Sequence, residues 1–437
     1  MKKLERRAAI CLILVFAMLT GLVYFVVRLE LYGGKWAVQP YNSHVFSGGQ
    51  LICGKLTDRD GKTILQFTEG GPVYLGTEYE RRAMATITGD VNYGNPTGAN
   101  VVFRSRLAGY NRITGTEGFF GRKGGTVTLT VDSDYNETAY SAIGNRNGLV
   151  CVYNYKTGEI MTLVSTPTVD PSDKDAIRTA ADGAYINKVT GATFTPGSIF
   201  KVLTACAAIE NIDGLSERTF TCTGSVNIGG NNVTCPTAHG EVDFAGALAS
   251  SCNCYFGQLA VDIGADKMQE YVDQMRLTDS YDINGIKTAA GSFNFAADDV
   301  ALAWSGIGQG EDLVNPISIM VFMGAIANDG TAQIPTLIRG EDNGYVDLMN
   351  ESTAQRLKAL MINNVEQNYG AANFPGLAIG AKSGSAETVA GRATNAWFSG
   401  FAGDYAFVVM LENAGAGATV AGPVANTVLQ KIVNGGQ

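Results

Sequence analysis

The most regular hydrophobic pattern in the chain is an uncharged apolar run near its start. The twenty residues Ala8–Val27 carry no charge, and they follow Lys2, Lys3, Arg6 and Arg7. About 20 apolar residues suffice for a helix to cross a bilayer, and the preceding basic residues favour a cytoplasmic N-terminus. A cleavable signal peptide has a shorter apolar region of about 7–15 residues. The pattern therefore predicts a cytoplasmic tail over 1–7, an uncleaved anchor over 8–28 and an extracytoplasmic remainder.

The pattern becomes irregular after the anchor and then changes to short alternating segments. Residues 31–50 are rich in glycine and polar residues without a clear period, which predicts an irregular juxtamembrane link. From about 51 to 125, strand-like pieces such as "KLTDRDGKTILQF" alternate with Gly/Asn turns, which is typical of strands joined by tight turns. We therefore expect a link and a small α+β pedestal over 29–125, without obvious catalytic groups.

The rest of the chain, 126–437, has strand-like and helix-like stretches in a definite order. "GTVTLTVD" predicts a strand, "SDYNETAYSAIGNR" predicts a helix with an N-cap, and "GLVCVYNYKTGEIMTLVS" predicts a hairpin. The middle, from 185 to about 335, has helical spacing, and three strand-like segments and an amphipathic helix follow it. This order predicts one antiparallel sheet in which the first hairpin meets the last three strands, with a helical subdomain inserted between them.

Composition and charge exclude some classes of function and leave others open. The 437 residues carry a formal net charge of -9, which gives no support for nucleic-acid binding, because that function needs a basic face. The two histidines, His44 and His239, lie far apart in the sequence. A histidine-based metal site or a Ser-His-Asp triad therefore has little material, and we expect no metal ion or other cofactor.

The eight cysteines allow two interpretations. Cys222 and Cys235 bracket the polar stretch "CTGSVNIGGNNVTC", which predicts a hairpin tip that a disulfide could close. Two buried free thiols fit the sequence equally well. Cys252 and Cys254 flank Asn253, but nothing in the sequence pairs them with a histidine or a carboxylate, so structural packing is the favoured interpretation.

Candidate chemistry begins with Lys201, the only charged residue between Lys188 and Glu210. It heads the apolar run "VLTACAAIE" and follows Ser198 by three positions. A lysine that reaches solvent from a core helix is one interpretation. The other is chemical, because a buried lysine loses its proton more easily and can act as a base towards the serine one turn away.

Lysine-assisted serine enzymes carry S-x-x-K, then S-x-N, then K-[ST]-G. S-x-x-K occurs once here, at Ser198–Lys201, whereas S-x-N occurs three times and K-[ST]-G twice. Among the S-x-N matches, Ser225–Asn227 lies in the cysteine-bracketed loop and Ser292–Asn294 lacks flanking helices. Ser251–Asn253 lies between two helix-like segments, so a short turn there could project both side chains into a cleft.

The two K-[ST]-G matches differ in position. Lys156–Gly158 lies at a predicted hairpin tip and precedes Ser198, which is the wrong order. Lys382–Gly384 opens a strand whose small residues would let a substrate backbone approach closely. The selected set is therefore Ser198 with Lys201, Ser251 with Asn253, and Lys382–Gly384.

With these motifs in order, the chain resembles the transpeptidase domain of class B penicillin-binding proteins. The resemblance covers about 126–437 and includes "INKVTGATFTPGSIFKVLTACAAIE", "SSCNCYF", "GIGQGEDLVNPISIMVFMGAIANDG" and "AKSGSAET". "TDRDGKTIL" resembles the start of the family's pedestal, which is short here. The resemblance implies a fold of the penicillin-binding and serine β-lactamase type: an antiparallel sheet flanked by terminal helices, with an inserted all-α subdomain.

The resemblance and the chemistry together assign roles for acyl transfer. Ser198 is the expected nucleophile and Lys201 its base, with burial and nearby Lys382 both lowering the pKa of Lys201. Ser251 is expected to relay the proton to the leaving amine. Asn253 is expected to hold the amide of the donor peptide.

The third motif is expected to bind the substrate's terminal carboxylate. Lys382 would act there with the hydroxyls of Ser383 and Ser385, at positions where threonine is commoner in the family. Gly384 lets the substrate backbone approach. The backbone N–H groups of Ser198 and Ser385 would form the oxyanion hole.

The resemblance implies a bacterial cell-membrane enzyme, with its catalytic domain outside, that cross-links peptidoglycan. Its donors would be stem peptides ending in D-Ala-D-Ala, its intermediate an acyl-enzyme on Ser198, and β-lactams would acylate the same serine. The resemblance also suggests a membrane glycan polymerase of the shape, elongation, division and sporulation type as partner, contacted through Ala8–Val27 and the pedestal.

The sequence favours this interpretation over two rival functions. A β-lactamase must activate water, and Glu311 with Asn315 resembles a Glu-x-x-x-Asn deacylation motif; its flanking sequence instead resembles the transpeptidase family's own helix. A β-lactam sensor or a catalytically silent scaffold is the non-enzymatic rival. A sensor is expected to carry a cytoplasmic effector, and a silent scaffold has little reason to retain three motifs.

Overall fold

A long N-terminal helix opens the chain in the computed structural model, which describes residues 2–116, 124–295, 298–387 and 391–435. Helix α1 runs over Lys2–Ala37 and is long and apolar enough to cross a membrane by length and composition. It continues past the predicted anchor, so the first residues of the predicted irregular link are helical. Gly33 and Gly34 let Tyr110 and Ser105 lie directly against the helix backbone. This tertiary contact accounts for helix where the hydrophobic pattern gives no period.

The pedestal contains a four-stranded sheet and three short helices. The sheet order is β5-β4-β3-β6, with β3 and β6 parallel and the other pairs antiparallel. The elements of this region are β1 (Phe46–Ser47), β2 (Gln50–Leu51), β3 (Lys55–Thr57), β4 (Thr63–Thr68), β5 (Gly71–Tyr74), α2 (Glu78–Thr88), α3 (Ala99–Val102), α4 (Arg104–Leu107) and β6 (Thr126–Thr128). Strands β1 and β2 pair only with each other. Strand β6 lies just after the predicted domain boundary at 125/126, yet it pairs with β3 of the pedestal sheet. The boundary itself stays a prediction. Residues 117–123 of the predicted pedestal lie outside the described part of the chain.

The second part of the chain is built on a five-stranded antiparallel sheet. Its strands are β7 (Gly148–Asn154), β8 (Ile160–Thr166), β17 (Ile379–Ala386), β18 (Asn395–Ala402) and β19 (Tyr405–Leu411). Their order is β17-β18-β19-β7-β8. The prediction that the first hairpin meets the last three strands is therefore confirmed. The predicted end of strand β17 at Thr388 lies outside the described residues.

Helices cover both faces of this sheet. On one face, α5 (Ser133–Ile143) and α15 (Gly417–Leu429) pack together over β8, β18 and β19. Asp132 caps α5 by accepting from two backbone N–H groups, one residue before the stretch whose start predicts the cap. On the other face, every residue of α13 (Pro316–Ala327) is buried. Burial on both faces explains why the sheet strands are nearly continuous apolar runs.

The segment between β8 and β17 is rich in helices and also carries four small strand pairs. The helices are α6 (Lys174–Arg178), α7 (Lys188–Gly191), α8 (Lys201–Asn211), α9 (Phe244–Ala249), α10 (Asn253–Ile263), α11 (Ala265–Gln274), α12 (Asp299–Ser305), α13 and α14 (Glu351–Asn364). The strands are β9 (Phe220–Cys222), β10 (Ser225–Ile228), β11 (Asn231–Thr234), β12 (Gly240–Val242), β13 (Asp282–Ile283), β14 (Ile286–Lys287), β15 (Thr331–Gln333) and β16 (Tyr345–Asp347). The hairpin predicted between Cys222 and Cys235 is β10–β11. The inserted segment is expected to be all helical, and the four short strand pairs correct that detail.

Candidate active site

Ser198 lies in a tight turn that leads into the central helix α8. Gly197–Ile199 forms a single 3₁₀ turn, and the α-helix proper starts at Lys201. Gly197 has a positive φ of 59°, a conformation that glycine adopts without steric cost. Its N–H donates to the carbonyl of Gly308 at 2.8 Å. These contacts hold Ser198 at the beginning of a continuous turn and helix.

Lys201 lies beneath Ser198 with its side chain fully buried. Its Nζ is 3.1 Å from Ser198 Oγ and 3.1 Å from Ser251 Oγ. The same nitrogen donates to the Ser251 carbonyl at 2.7 Å and to Asn253 Oδ1 at 2.6 Å. The two carbonyl oxygens can only accept hydrogen bonds. A neutral amine would give them its two N–H groups and keep its single lone pair for one of the two hydroxyls, which is the geometry of a base.

Electrostatics favour that neutral form. Burial, and then the neighbouring ammonium of Lys382, hold the pKa of Lys201 well below its ordinary value. Burial alone lowers the pKa of Lys382 to about 7. Since no carboxylate contacts either nitrogen among the described residues, two adjacent ammonium groups there would repel each other, and at least one of them loses its proton readily.

Ser251 is the point at which the two lysines meet. It lies between α9 and α10 with a positive φ of 53°, which turns the chain sharply. Its Oγ is 3.1 Å from Lys201 Nζ and 3.0 Å from Lys382 Nζ. Asn253 starts α10, and its Nδ2 donates to the Thr234 carbonyl at 2.8 Å. This bond orients Asn253 Oδ1 towards Lys201.

The third motif lies on β17, the edge strand of the sheet. Lys382 is fully buried and also donates to the Ser383 carbonyl at 3.1 Å. A β-carbon added to Gly384 would come within 3.0 Å of the Pro196 carbonyl, so glycine allows the strand to lie against the Ser198 turn. An edge strand leaves backbone groups free to pair with an extended peptide.

The two motif hydroxyls contact groups that the sequence does not point to. Tyr369 donates its hydroxyl to Ser383 Oγ at 2.9 Å and accepts from the Ser383 N–H at 2.7 Å. Ser385 Oγ accepts from the Gly417 N–H at 3.3 Å, at the first residue of α15. Tyr369 lies in a π-helical turn, Val365–Tyr369, and no motif in the sequence marks it.

These groups surround an open cleft of about 1080 Å³. Five of the eight predicted site residues line the cleft: Ser198, Ser251, Asn253, Ser383 and Ser385. Lys201 and Lys382 are buried beneath them. Gln309 and Glu311 form part of the wall, and Gln309 Nε2 approaches the Ser385 carbonyl at 3.4 Å. Asn294, from a motif match that context rejected, also lines the cleft.

Cys252 and Cys254 have neighbours that the sequence did not predict. Cys235 Sγ lies 3.8 Å from Cys252 Sγ and 3.5 Å from Cys254 Sγ. Cys222 Sγ lies 3.8 Å from Cys235 Sγ and 3.5 Å from His239 Nδ1. A disulfide needs about 2.05 Å, so Cys222 and Cys235 are not bonded to each other here. The expectation that no histidine accompanies these cysteines is wrong, because two distant loops bring His239 to them.

Comparisons with known proteins agree with this geometry. A family model described as the penicillin-binding protein transpeptidase domain matches residues 148–430. A peptidoglycan D,D-transpeptidase, PbpA of Mycolicibacterium smegmatis, is 26% identical over 388 residues, covering 78% of this chain and 76% of its own. Penicillin-binding protein 3 of Bacillus subtilis is 27% identical over 64% of this chain and 46% of its own.

Solved structures share the fold. Penicillin-binding protein A from M. tuberculosis, in a ceftriaxone acyl-enzyme complex, superposes with a TM-score of 0.78 at 22% identity. That similarity covers 86% of this chain and 97% of the other. The D,D-transpeptidase domain of a peptidoglycan glycosyltransferase from Eggerthella lenta gives a TM-score of 0.75 at 22% identity, covering 88% and 98%.

Proposed function

Because this chain belongs to the penicillin-binding protein transpeptidase family, we propose that it is a peptidoglycan D,D-transpeptidase. Its donors are stem peptides ending in D-Ala-D-Ala, and β-lactams acylate it as substrate analogues. One observation supports this most strongly. Lys201 Nζ contacts Ser198 Oγ and Ser251 Oγ at 3.1 Å each, and Lys382 Nζ contacts Ser251 Oγ at 3.0 Å. Nucleophile, base and proton relay thus form one continuous chain of contacts.

In the first step, Ser198 attacks the carbonyl of the penultimate D-alanine. The new Oγ–C bond forms while the hydroxyl proton moves to the lone pair of neutral Lys201. The backbone N–H groups of Ser198 and Ser385 stabilise the negative charge that develops on the substrate oxygen. Because Lys201 acts as the base, this step needs no histidine.

In the second step, the tetrahedral intermediate collapses. The C–N bond to the terminal D-alanine breaks, and the leaving amine takes the Ser251 hydroxyl proton, which the Lys201 ammonium replaces. The acyl group remains as an ester on Ser198. An amine from a neighbouring strand then attacks this ester by the reverse sequence, which forms the cross-link and regenerates the serine.

Substrate orientation falls to the edge strand and to Asn253. The donor peptide lies along β17, with its terminal carboxylate at Lys382 and at the hydroxyls of Ser383 and Ser385. Asn253 holds the donor amide through its side chain. Tyr369 positions Ser383 by the pair of bonds that it makes to Oγ and N–H.

The packing of Asn315 weighs against a β-lactamase of the Glu-x-x-x-Asn type. Asn315 is fully buried and caps α13 by accepting from the Ile317 N–H at 3.0 Å. Its Nδ2 donates to the carbonyls of Thr190 and Ala192 at 3.1 and 2.8 Å. These bonds use both N–H groups of the buried amide, and Asn315 is not among the residues that line the cleft, whereas Glu311 is, so the two side chains are not arranged to hold a hydrolytic water together.

The membrane setting of the enzyme is part of the same proposal. Helix α1 anchors the chain, and the basic residues before Ala8 hold its N-terminus in the cytoplasm, which places the cleft outside. We retain the division into anchor, pedestal (29–125) and transpeptidase domain (126–437). A glycan polymerase of the shape, elongation, division and sporulation type contacts Ala8–Val27 and the pedestal. Loss of co-purification after deletion of both segments tests this contact; co-purification that survives would contradict it.

Mass spectrometry of the penicillin-treated full chain tests the catalytic assignment. We expect one penicilloyl adduct, located on the peptide that contains Ser198, and no adduct in Ser198→Ala. Ser250→Ala is the matched control, because Ser250 lines the same cleft but donates to the Gly246 carbonyl at 2.8 Å. That variant should label at the normal rate. An adduct that persists in Ser198→Ala would remove Ser198 from its role, and release of the adduct within seconds would favour a lactamase.

A further inference from the structure

Three cysteines and one histidine converge beside the second motif. One ligand atom from each of Cys222, Cys235, His239 and Cys252 lies within 4.8 Å of all the others. Cys222 ends β9, Cys235 follows β11, and His239 precedes β12. Because β9 pairs with β12 and β10 with β11, the two ladders bring distant parts of one loop together. The cluster closes on Cys252, the N-cap of α10.

The spacing of these atoms is that of tetrahedral metal ligands. Cys235 Sγ lies 3.8 Å from both Cys222 Sγ and Cys252 Sγ, and His239 Nδ1 lies 3.5 Å from Cys222 Sγ. Zinc–sulfur bonds of about 2.3 Å at tetrahedral angles separate two ligand sulfurs by about 3.8 Å, and the shorter zinc–nitrogen bond brings nitrogen somewhat closer. Three of the six distances between ligand atoms therefore already match those of a zinc site, and the other three are at most 4.8 Å.

Backbone N–H groups support the same interpretation. Asn253 N–H and Cys254 N–H point at Cys235 Sγ at 3.1 and 3.4 Å, and Tyr255 N–H points at Cys252 Sγ at 3.4 Å. These donors belong to the first turn of α10, where the helix dipole favours negative charge. Thiolate ligands are commonly held by such outer hydrogen bonds.

We propose that Cys222, Cys235, His239 and Cys252 bind one Zn²⁺ ion and that this ion fixes the turn carrying Ser251 and Asn253. Three thiolates and one imidazole form a closed set of four ligands, which is typical of structural zinc sites. Sulfur ligands also disfavour magnesium and calcium. The ion takes no part in acyl transfer. Its effect on catalysis rests on the proposed function, whereas its binding does not.

The position of Cys252 explains the coupling to the cleft. Cys252 lies between Ser251 and Asn253 in sequence, so a metal bond to its sulfur restrains the backbone on both sides. Asn253 is held further by its side-chain bond to the Thr234 carbonyl at 2.8 Å, immediately before Cys235. The four ligands are thus positioning residues, because they hold Ser251 and Asn253 where both side chains contact Lys201 Nζ.

Metal content of the full chain, purified in detergent without chelator, tests binding directly. We expect about one zinc per chain, and cobalt substitution should give the thiolate charge-transfer and visible bands of a tetrahedral site. His239→Ala should lower the apparent zinc affinity by about 100-fold or more, since a lost ligand costs at least as much as a lost outer-shell partner. His44→Ala is the matched control, because His44 is the other histidine and is exposed.

Two further variants keep the test sharp if His239→Ala folds poorly. His239→Cys supplies a fourth thiolate and should restore zinc binding. Cys254→Ser should retain the zinc, because Cys254 Sγ, although 3.5 Å from Cys235 Sγ, donates to the Val233 carbonyl at 3.5 Å and lies outside the group of four ligand atoms. A zinc-free chain with a Cys222–Cys235 disulfide found by peptide mapping would overturn the proposal, and so would an unchanged zinc affinity in His239→Ala.

The rate of Ser198 acylation by a fluorescent penicillin tests positioning. Removal of zinc by a chelator should slow acylation about tenfold, and added Zn²⁺ should restore it in the parent and in His239→Cys but not in His239→Ala. Unchanged acylation after zinc removal would overturn the positioning role. Absence of labelling in the zinc-loaded parent would instead contradict the proposed function, while the zinc measurement would still stand.

Discussion

The same three-residue pattern occurs at two places in this chain, in opposite environments. Lys156-Thr-Gly forms the turn between β7 and β8, where the Lys156 side chain is 52% exposed and pairs with Asp404 at 2.6 Å. Lys382-Ser-Gly lies in β17, where the lysine is fully buried and donates to Ser251 Oγ. One lysine is solvated beside a carboxylate. The other contacts no carboxylate in the described part of the chain and shares Ser251 Oγ with a second buried lysine.

This difference shows that the motif does not carry its chemistry by itself. A solvated ammonium paired with a carboxylate contributes about 0–1 kcal/mol to stability and has little reason to lose its proton. A buried ammonium loses hydration, and its charge then acts strongly on any group beside it. The chemistry arises from the surroundings that the fold builds around Lys382.

The largest expected difference between the two sites is kinetic. Lys382→Ala should lower the rate of penicillin acylation by about 100- to 1,000-fold, because it removes a partner of Ser251 and the charge that we propose binds the carboxylate. Lys156→Ala should change the rate less than about twofold. Stopped-flow measurement of acylation compares them. Equal losses in both variants would show that the two sites do not differ as described.

A smaller difference is expected in stability, with opposite sign to the loss of activity. The pKa of Lys382 is lowered to about 7, from about 10.4 in an unfolded chain. Between these values the unfolded state binds the extra proton, so the folding stability rises with pH across this window, and below pH 7 the full cost of the buried charge is present. Lys382→Met should therefore raise the free energy of unfolding at pH 7 by about 2 kcal/mol.

Urea unfolding of the full chain in detergent at pH 7 and pH 9 checks this sign. The advantage of Lys382→Met over the parent should shrink as the pH rises, because the parent loses its buried charge. Lys156→Met serves as the control and should differ from the parent by less than about 1 kcal/mol at either pH. An advantage that grows with pH would contradict the assignment.

The smallest expected effect concerns the duplicated S-x-N pattern. Asn253→Ala should slow acylation about tenfold, because the bond from Lys201 Nζ to Asn253 Oδ1 at 2.6 Å is lost and the base is less well oriented. Asn227→Ala removes only an exposed bond to Asn232 at 3.2 Å in the β10–β11 hairpin. The fluorescent-penicillin rate should not change there, and a slower Asn227→Ala would show that this hairpin contributes to the cleft.

Much of the architecture is predictable because its signals are local. The hairpin of β7 and β8, the last three strands and helix α5 each have a sequence pattern that the fold retains. The motif order also selects residues that the structure brings together, since Ser198, Lys201, Ser251, Asn253 and Lys382 form one contact network.

Other features depend on tertiary contacts that no local pattern encodes. Tyr369 reaches Ser383 from a π-helical turn, and His239 reaches Cys222 only because two small ladders fold onto the start of α10. The last turns of α1 are helical where the sequence predicts an irregular link, because Tyr110 packs against Gly33. In each case the determining neighbour lies far away along the chain.

The contact of Tyr110 with Gly33 has a mechanical consequence. Helix α1 continues unbroken from its apolar portion to Ala37, and its end packs against the pedestal. The helix and the pedestal are therefore expected to move as one stiff unit. A change in the tilt of α1 therefore turns the pedestal with it. A protein that bound α1 would in this way also change the orientation of the pedestal.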